Sequence, residues 1–76
     1  MTRHYQVWLE WDEAEGLWVT FVPALGYLST YGETRDEALE NTQEAIQGYI
    51  EAAEKEGMPV PSGNTIAEIV ELEVAV

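Results

Sequence analysis

The sequence predicts an α+β fold with two layers, in which a mainly antiparallel sheet carries one long helix on one face, in the order β-β-β-α-β. Three observations predict it: two early segments alternate with period two, a long segment with period 3.6 follows, and a further alternating segment lies near the C-terminus. A chain of 76 residues has room for one hydrophobic core, so we expect a single domain over residues 1–76.

The first three strands follow from alternation and from their stop signals. Apolar side chains alternate with mixed ones over residues 4–11 and again over 17–22. The short polar run between them predicts an antiparallel hairpin with a turn of about five residues. Pro23 donates no ladder hydrogen bond and therefore ends the second strand. After a bend, residues 27–31 predict a short third strand.

The helix is predicted from about residue 35 to 56 by its caps and its apolar stripe. Thr34 is placed as the N-cap, and Glu37 can reach back to the backbone N–H of Thr34 to complete a capping box. Gly57 suits the position just after the helix. Two prolines then predict an extended connection to a last strand over residues 66–76. The apolar stripe consists of Ala38, Leu39, Thr42, Ala45, Ile46, Tyr49, Ile50 and Ala53.

Two tryptophans are predicted to lie together on the sheet face that the helix leaves uncovered. If Trp8 and Trp18 share that face, a second copy of the chain can cover them, and exposed aromatic patches usually mark contact sites. We therefore expect a homo-oligomer, a dimer or a tetramer, with Trp8 and Trp18 in its interface. A different protein partner and an ordinary peripheral core are the alternatives. The side chains expected to face the helix are Val7, Leu9, Val19 and Phe21.

The charge of the chain selects among classes of partner. The formal net charge is −12, from 15 acidic and three basic residues. Direct binding to DNA or RNA is not expected, because that affinity comes mainly from Lys and Arg neutralising phosphates. A basic protein partner suits the charge, and the acidic helix face with Glu40, Glu44 and Glu51 is the predicted surface for it. The alternative is a solvated face that only keeps the protein soluble.

No catalytic residue, cofactor or metal ion is predicted. The chain has no cysteine and one histidine, and it lacks the phosphate-binding spacing G-x-G-x-x-G. The alternative is a nuclease site in which Glu10, Asp12 and Glu33 converge on divalent metals. A solvated turn accounts for these carboxylates in a chain this acidic, so we expect a protein that is not an enzyme.

No secretory signal pattern is visible, because Arg3 and His4 lead directly into an alternating segment. No apolar run approaches the roughly 20 residues that a membrane span needs. We therefore expect a cytoplasmic protein without membrane contact.

Three stretches resemble the HicB-like antitoxin family in its N-terminal, partner-binding domain. They are YQVWLEWDEAEG followed by LWVTFVPALG, then GETRDEALENTQEAI with the family's Gly-x-Thr-x-x-Glu-Ala motif, and then MPVP after the helix. The resemblance implies a fold like a partial ribonuclease H sheet. The chain departs from the family at Pro23-Ala24-Leu25-Gly26-Tyr27, where members usually have Asp after the proline, then Leu-Pro-Gly and often Cys.

The resemblance implies a non-catalytic antitoxin that neutralises a small basic RNA-cleaving toxin of the HicA type by covering its RNA-binding surface. Family members that repress their own operon carry a C-terminal helix-turn-helix or ribbon-helix-helix domain. Because the last pattern here is a strand that reaches Val76, we expect the partner-binding half without a DNA-binding domain. The alternative is a stand-alone homo-oligomer with a regulatory or scaffold role and no toxin partner.

Overall fold

Three antiparallel strands and one long helix form the fold in the computed structural model, which describes residues 2–63 and 66–76. The strands are β1 (Trp8–Asp12), β2 (Leu17–Val22) and β3 (Leu28–Gly32), and the sheet order is β1-β2-β3. A single turn of 3₁₀ helix, Pro23–Leu25, joins β2 to β3, and α1 (Arg35–Lys55) follows. The helix packs over β3 and β2 on one sheet face. The predicted α+β class is confirmed, with the order β-β-β-α.

The last predicted strand is wrong for this structure. Residues 66–76, named here the C-terminal arm, contain no strand, and every residue of the arm is exposed. Its alternation of β-branched and acidic residues is typical of a strand, but a strand also needs a neighbour for its backbone hydrogen bonds. The arm passes the start of β1, where Ala67 and Ile69 border a cavity with Gln6 and Trp8, and does not join the sheet.

The start of α1 agrees with its predicted cap, with one difference. The Thr34 hydroxyl accepts the backbone N–H of Glu37 at 3.1 Å, which confirms the N-cap. The Glu37 carboxylate accepts the backbone N–H of Glu33 at 3.4 Å, whereas the capping box predicted Thr34 as the donor. The carboxylate therefore ties the residue before the cap to the first turn.

The end of α1 is a Schellman motif. Gly57 has φ of 68°, which glycine adopts without steric cost. The backbone N–H of Gly57 donates to the carbonyl of Glu54, and that of Met58 donates to the carbonyl of Ala53. The helix ends at Lys55, one residue before the predicted end at about residue 56, and the predicted role of Gly57 is confirmed.

The hairpin register decides which side chains face the helix. Asp12 pairs with Leu17, so the loop between β1 and β2 has four residues, whereas the sequence predicted about five. A change of one residue moves every side chain of a strand to the other face. Val19 and Phe21 therefore lie away from the helix, and the prediction that they face it is wrong. Thr20 and Val22 take their place, and both are fully buried.

The layer between sheet and helix contains small side chains and a short chain of hydroxyls. The Thr42 hydroxyl donates to the carbonyl of Ala38 at 2.7 Å, so the Thr20 hydroxyl donates the 2.5 Å bond to Thr42. A Cβ atom on Gly32 would overlap the backbone of Ala38. The helix thus approaches β3 more closely than a side chain at residue 32 allows.

A bilayer-crossing helix needs length and apolar character together. Among residues 2–63 and 66–76, no helix has both.

Candidate functional site

The sheet face opposite α1 is the candidate functional site, and we name it the open face. Within the described part of the chain, no helix or strand packs against it. The pairing of β1 with β2 and of β2 with β3 places both large apolar side chains and carboxylates on this face. Its side chains are Trp8, Glu10, Asp12, Leu17, Val19, Phe21, Ser29 and Tyr31.

Aromatic side chains form one end of the open face. The rings of Trp8 and Tyr27 meet edge to face, with centroids 5.9 Å apart and planes at 76°. Phe21 lies directly opposite Trp8 in the neighbouring strand. Tyr27 is more than half exposed, and so is Tyr31, which lies farther along the face in the row of Val19 and Glu10. The cluster therefore offers large, rigid contact area to whatever binds this face.

The backbone of Tyr27 is strained. Its φ is 61°, a left-handed conformation that a bulky residue rarely adopts. Such strain costs about 1–3 kcal/mol and often occurs at binding sites, where the structure must hold a side chain in one position. Gly26, just before it, has φ of 64°, so two successive left-handed residues reverse the chain and bring the Tyr27 ring to Trp8.

Two carboxylates of β1 lie at the other end of the open face. Glu10 and Asp12 border a cavity of about 290 Å³ together with Val19 and Phe21. The Asp12 carboxylate accepts the backbone N–H of Glu15 at 3.1 Å, which fixes its position in the hairpin loop. An apolar surface with carboxylates at its edge suits Lys or Arg side chains, whose stems pack on apolar surface and whose heads pair with acids.

The nuclease alternative requires Glu33 to meet Glu10 and Asp12. Glu33 follows β3, and β2 lies between β3 and β1, so roughly 9–10 Å separates the outer strands. In the described residues, no group of three or more His, Cys, Asp or Glu side chains is arranged to hold a metal ion. His4 is exposed.

The predicted acidic partner surface forms a continuous stripe on the outer side of α1. Glu40, Glu44 and Glu51 are all exposed, and their spacing places them on one side of the helix. That side is opposite the buried residues Ala38 and Thr42. The stripe and the open face therefore lie on opposite sides of the molecule.

The two predicted interface tryptophans do not share a face. Trp8 lies on the open face as predicted, whereas Trp18 lies on the helix side of β2, opposite Trp11. The rings of Trp11 and Trp18 are 5.4 Å apart, and Trp11 is half exposed. The four-residue loop is the physical reason, because it inverts the parity of β2 relative to β1. A single patch containing Trp8 and Trp18 does not exist in this fold.

Three aromatic residues were not predicted from the sequence: Phe21 and Tyr31 on the open face, and Tyr27 beside it. The alternation of Phe21 and Tyr31 with their neighbours is clear in the sequence. The length of the hairpin loop, which decides which face these side chains occupy, is not. For Tyr27 the signal was its place after Pro23 and Gly26, where a turn is expected but the left-handed backbone of a tyrosine is not.

Comparison with known proteins shows that the sequence is similar to those of antitoxins. The family model for HicB-like antitoxins of bacterial toxin-antitoxin systems matches residues 5–73. UPF0150 protein Ta0767 of Thermoplasma acidophilum is 43% identical over 60 residues, which cover 79% of this chain and 86% of that protein. UPF0150 protein ssr1765 of Synechocystis is 38% identical over 65 residues, which cover 86% and 81%. No solved structure gives a significant match.

Proposed function

The chain belongs to the HicB-like antitoxin family of bacterial toxin-antitoxin systems, and from this premise we propose that it acts by binding and not by catalysis. Its partner is a small basic RNA-cleaving toxin of the HicA type, which it neutralises by covering the surface that binds RNA. The observation that carries the proposal is the open face, where aromatic side chains lie beside Glu10 and Asp12 in a chain of charge −12.

The chemistry of the open face supports a basic partner. A toxin that binds RNA presents Lys and Arg side chains to the phosphates. The same side chains can stack on Trp8 and Tyr27 and form charge-assisted hydrogen bonds with Glu10 and Asp12. Buried aromatic anchors contribute most of the binding energy in many protein interfaces. A toxin held in this way cannot present those Lys and Arg side chains to RNA.

The acidic stripe of α1 has a different part in the proposal. Glu40, Glu44 and Glu51 lie on the side of the molecule opposite the aromatic cluster, so one toxin does not contact both surfaces at their centres. Exposed charge raises the rate of encounter with an oppositely charged partner more than it raises the final affinity. The stripe therefore attracts the toxin, and the open face holds it.

The proposal includes self-association into a dimer or a tetramer, and it locates the protein in the cytoplasm, where a toxin meets cellular RNA. We assign Trp8 to the toxin contact and not to the oligomer interface, because Trp18 does not lie beside it to form a shared aromatic patch. The variant Trp8→Glu distinguishes the two roles. Loss of toxin binding at unchanged mass supports a toxin contact, whereas a fall in mass by light scattering assigns Trp8 to the oligomer.

The test begins with isolation of the partner. The tagged protein is purified from its native cell at low salt, and co-purifying chains are identified by mass spectrometry. We expect a basic chain of under about 100 residues. That chain alone should cleave RNA, and addition of this protein at equal concentration should stop the cleavage.

Two outcomes contradict the proposal. One is the absence of any basic co-purifying chain under conditions that recover the protein itself intact, which favours the oligomer without a toxin. The other is inhibition that persists in the variant Glu10→Lys combined with Trp8→Ala, since the open face is then not the contact. The variant Glu44→Lys is the comparison for the charge reversal, because Glu44 lies on the opposite side of the molecule: it should slow association with the toxin and leave inhibition at equilibrium in place.

A further inference from the structure

The molecule exposes more surface than a compact protein of its size. Its accessible surface is 6219 Å², whereas a compact chain of 8.5 kDa exposes about 4,700 Å². Its radius of gyration is 14.6 Å, against about 11 Å for a compact domain of this length. The excess of about 1,500 Å² indicates that part of the chain is shaped to be covered by something else.

The C-terminal arm accounts for much of this excess. Val70, Leu72 and Val74 are 64–78% exposed, and in an extended chain they lie on one side, with Glu71 and Glu73 on the other. This alternation is typical of a strand that is buried on one face. The arm therefore has the sequence of a strand but no sheet to join.

A groove of about 700 Å³ runs between α1 and residues 2–7, on the helix side of β1. Its apolar wall consists of Val7, Leu39, Ile46 and Ile50. The helix lies over β3 and β2 and leaves this strip uncovered. The groove therefore lies between α1 and the residues that lead into β1, and it is long enough along the helix, from Leu39 to Glu54, for an extended segment.

The opposite edge of the sheet is held by the helix. Nδ2 of Asn41 in α1 donates to the carbonyl of Tyr31 in β3 at 2.9 Å. β1 has β2 as its one neighbour in the sheet of the described residues, so its outer edge can accept another strand.

A chain's own arm does not fill its own groove. After α1 the chain returns to the N-terminal segment, where the Tyr5 hydroxyl donates to the carbonyl of Pro61 and Gly63 packs against the backbone of His4. The arm then passes Trp8 and continues outward, and none of its described residues lines the groove. The molecule is 49 Å long as a result.

We propose that the C-terminal arm of one copy enters the groove of a second copy as a fourth strand beside β1, and that the second copy does the same in return. Each copy carries one arm and one groove, so a twofold dimer covers both, whereas an unrelated protein in the groove would leave the arm exposed. Val70, Leu72 and Val74 then pack on the apolar wall, and Glu71 and Glu73 point away from the helix.

The area supports a permanent dimer. Removal of the excess surface from both copies buries about 3,000 Å² in total, within the range of about 2,000–5,000 Å² for obligate dimers. Because both copies are strongly acidic, added salt screens their repulsion and tightens the dimer. Added salt should weaken binding of a basic toxin, because it screens the attraction between opposite charges. The inference rests on the self-association proposed above and is independent of any toxin.

The first test uses the absence of cysteine from the chain. Two single-cysteine variants, Leu72→Cys and Ile46→Cys, are mixed, unfolded together, refolded and treated with a flexible bis-maleimide. We expect a covalent pair that contains one copy of each variant. Pairs of Leu72→Cys with itself alone would mean that the arms pair with each other and would overturn the proposal. The variant that carries both Leu72→Cys and Ile46→Cys would overturn the proposal as well if it were monomeric and its two cysteines were linked only within one chain.

The second test compares the two sides of the arm. Leu72→Glu should raise the dissociation constant of the dimer roughly 100-fold or more, because it replaces a buried leucine with a carboxylate. Ala75→Glu adds the same charge on the other side of the arm and should change the constant less than about fivefold. Equal effects of the two variants, measured by sedimentation, contradict the proposed orientation.

A chain that ends at residue 67 separates this inference from self-association and from toxin binding. We expect a folded monomer, with its helix retained in circular dichroism, that still binds the toxin. If the shortened chain stays dimeric, self-association stands and the exchange of arms is wrong. If the shortened chain becomes monomeric and also loses the helix, the mixed cross-link alone decides.

Discussion

The two faces of the sheet are built from the same strands but from opposite kinds of residue. The face under α1 is made of small or branched side chains such as Thr20 and Val22, which are fully buried, and of Gly32, which has no side chain. The open face carries Trp8, Phe21 and Tyr31, and Tyr31 is 61% exposed. Close packing on one side and exposed aromatic area on the other indicate that stability and binding depend on separate residues.

The largest expected effect is on the packed face. Gly32→Ala should lower the free energy of unfolding by about 3 kcal/mol, because the new Cβ overlaps the backbone of Ala38 and the helix must move. Gly48→Ala is the matched control, since a Cβ there meets nothing within 4 Å in an exposed part of α1. It should raise stability by about 0.5–1 kcal/mol. Urea denaturation of both variants measures the difference, and equal effects would contradict the close approach.

The next effect is on the open face. Trp8→Ala should weaken toxin binding by about 2 kcal/mol, or roughly 30-fold, and should affect the helix little. Trp11→Ala removes an equally large ring from the other side of the same strand. It should leave toxin affinity within about threefold of the parent. Calorimetric titration of both variants tests the comparison, which fails if the two rings matter equally for binding.

A smaller effect concerns the hydroxyls between sheet and helix. Thr42→Val should cost about 1 kcal/mol of stability, because the Thr20 hydroxyl then loses its acceptor at residue 42 and must donate to the carbonyl of Thr30, which is 3.3 Å away. Thr20→Val combined with Thr42→Val should cost less than the sum of the two single changes, since no hydroxyl is left without a partner. A double-mutant cycle by denaturation measures this coupling, and strict additivity would exclude it.

The smallest effect concerns the acidic stripe. Glu44→Gln should lower the rate of association with the toxin about twofold and leave the dissociation rate unchanged, because the side chain attracts but does not touch the partner. Glu10→Gln removes the same charge on the open face and should raise the dissociation rate as well. Stopped-flow mixing at two salt concentrations separates the two variants. A higher dissociation rate for Glu44→Gln would move the contact to the helix.

Local signals in the sequence predicted α1 well. Thr34 and Gly57 act through hydrogen bonds to residues within a few positions, so their effect can be read without knowledge of the rest of the fold. β2 was predicted with its exact bounds because Pro23 and Gly16 mark its ends. The acidic stripe follows from the same period as the buried side of the helix.

The faces of the sheet could not be predicted in the same way. The face on which each side chain lies depends on whether the hairpin loop has four or five residues. The polar residues at the ends of the loop are compatible with either length. The final strand failed for a related reason, since β-prone sequence specifies a strand only where a second strand is within reach. Both errors concern contacts between residues that are distant in the sequence. The alternating patterns around Val19 and Leu72 do not say which residues those side chains contact.

The division of tryptophans between the faces gives the protein two separate optical signals. Trp11 and Trp18 are close enough for their ring transitions to couple, which should produce a near-ultraviolet dichroic band that depends on the hairpin. Trp8 lies apart from them against Tyr27, so its emission responds to what contacts the open face. Unfolding should remove the band, whereas a ligand on the open face should alter the emission and leave the band in place.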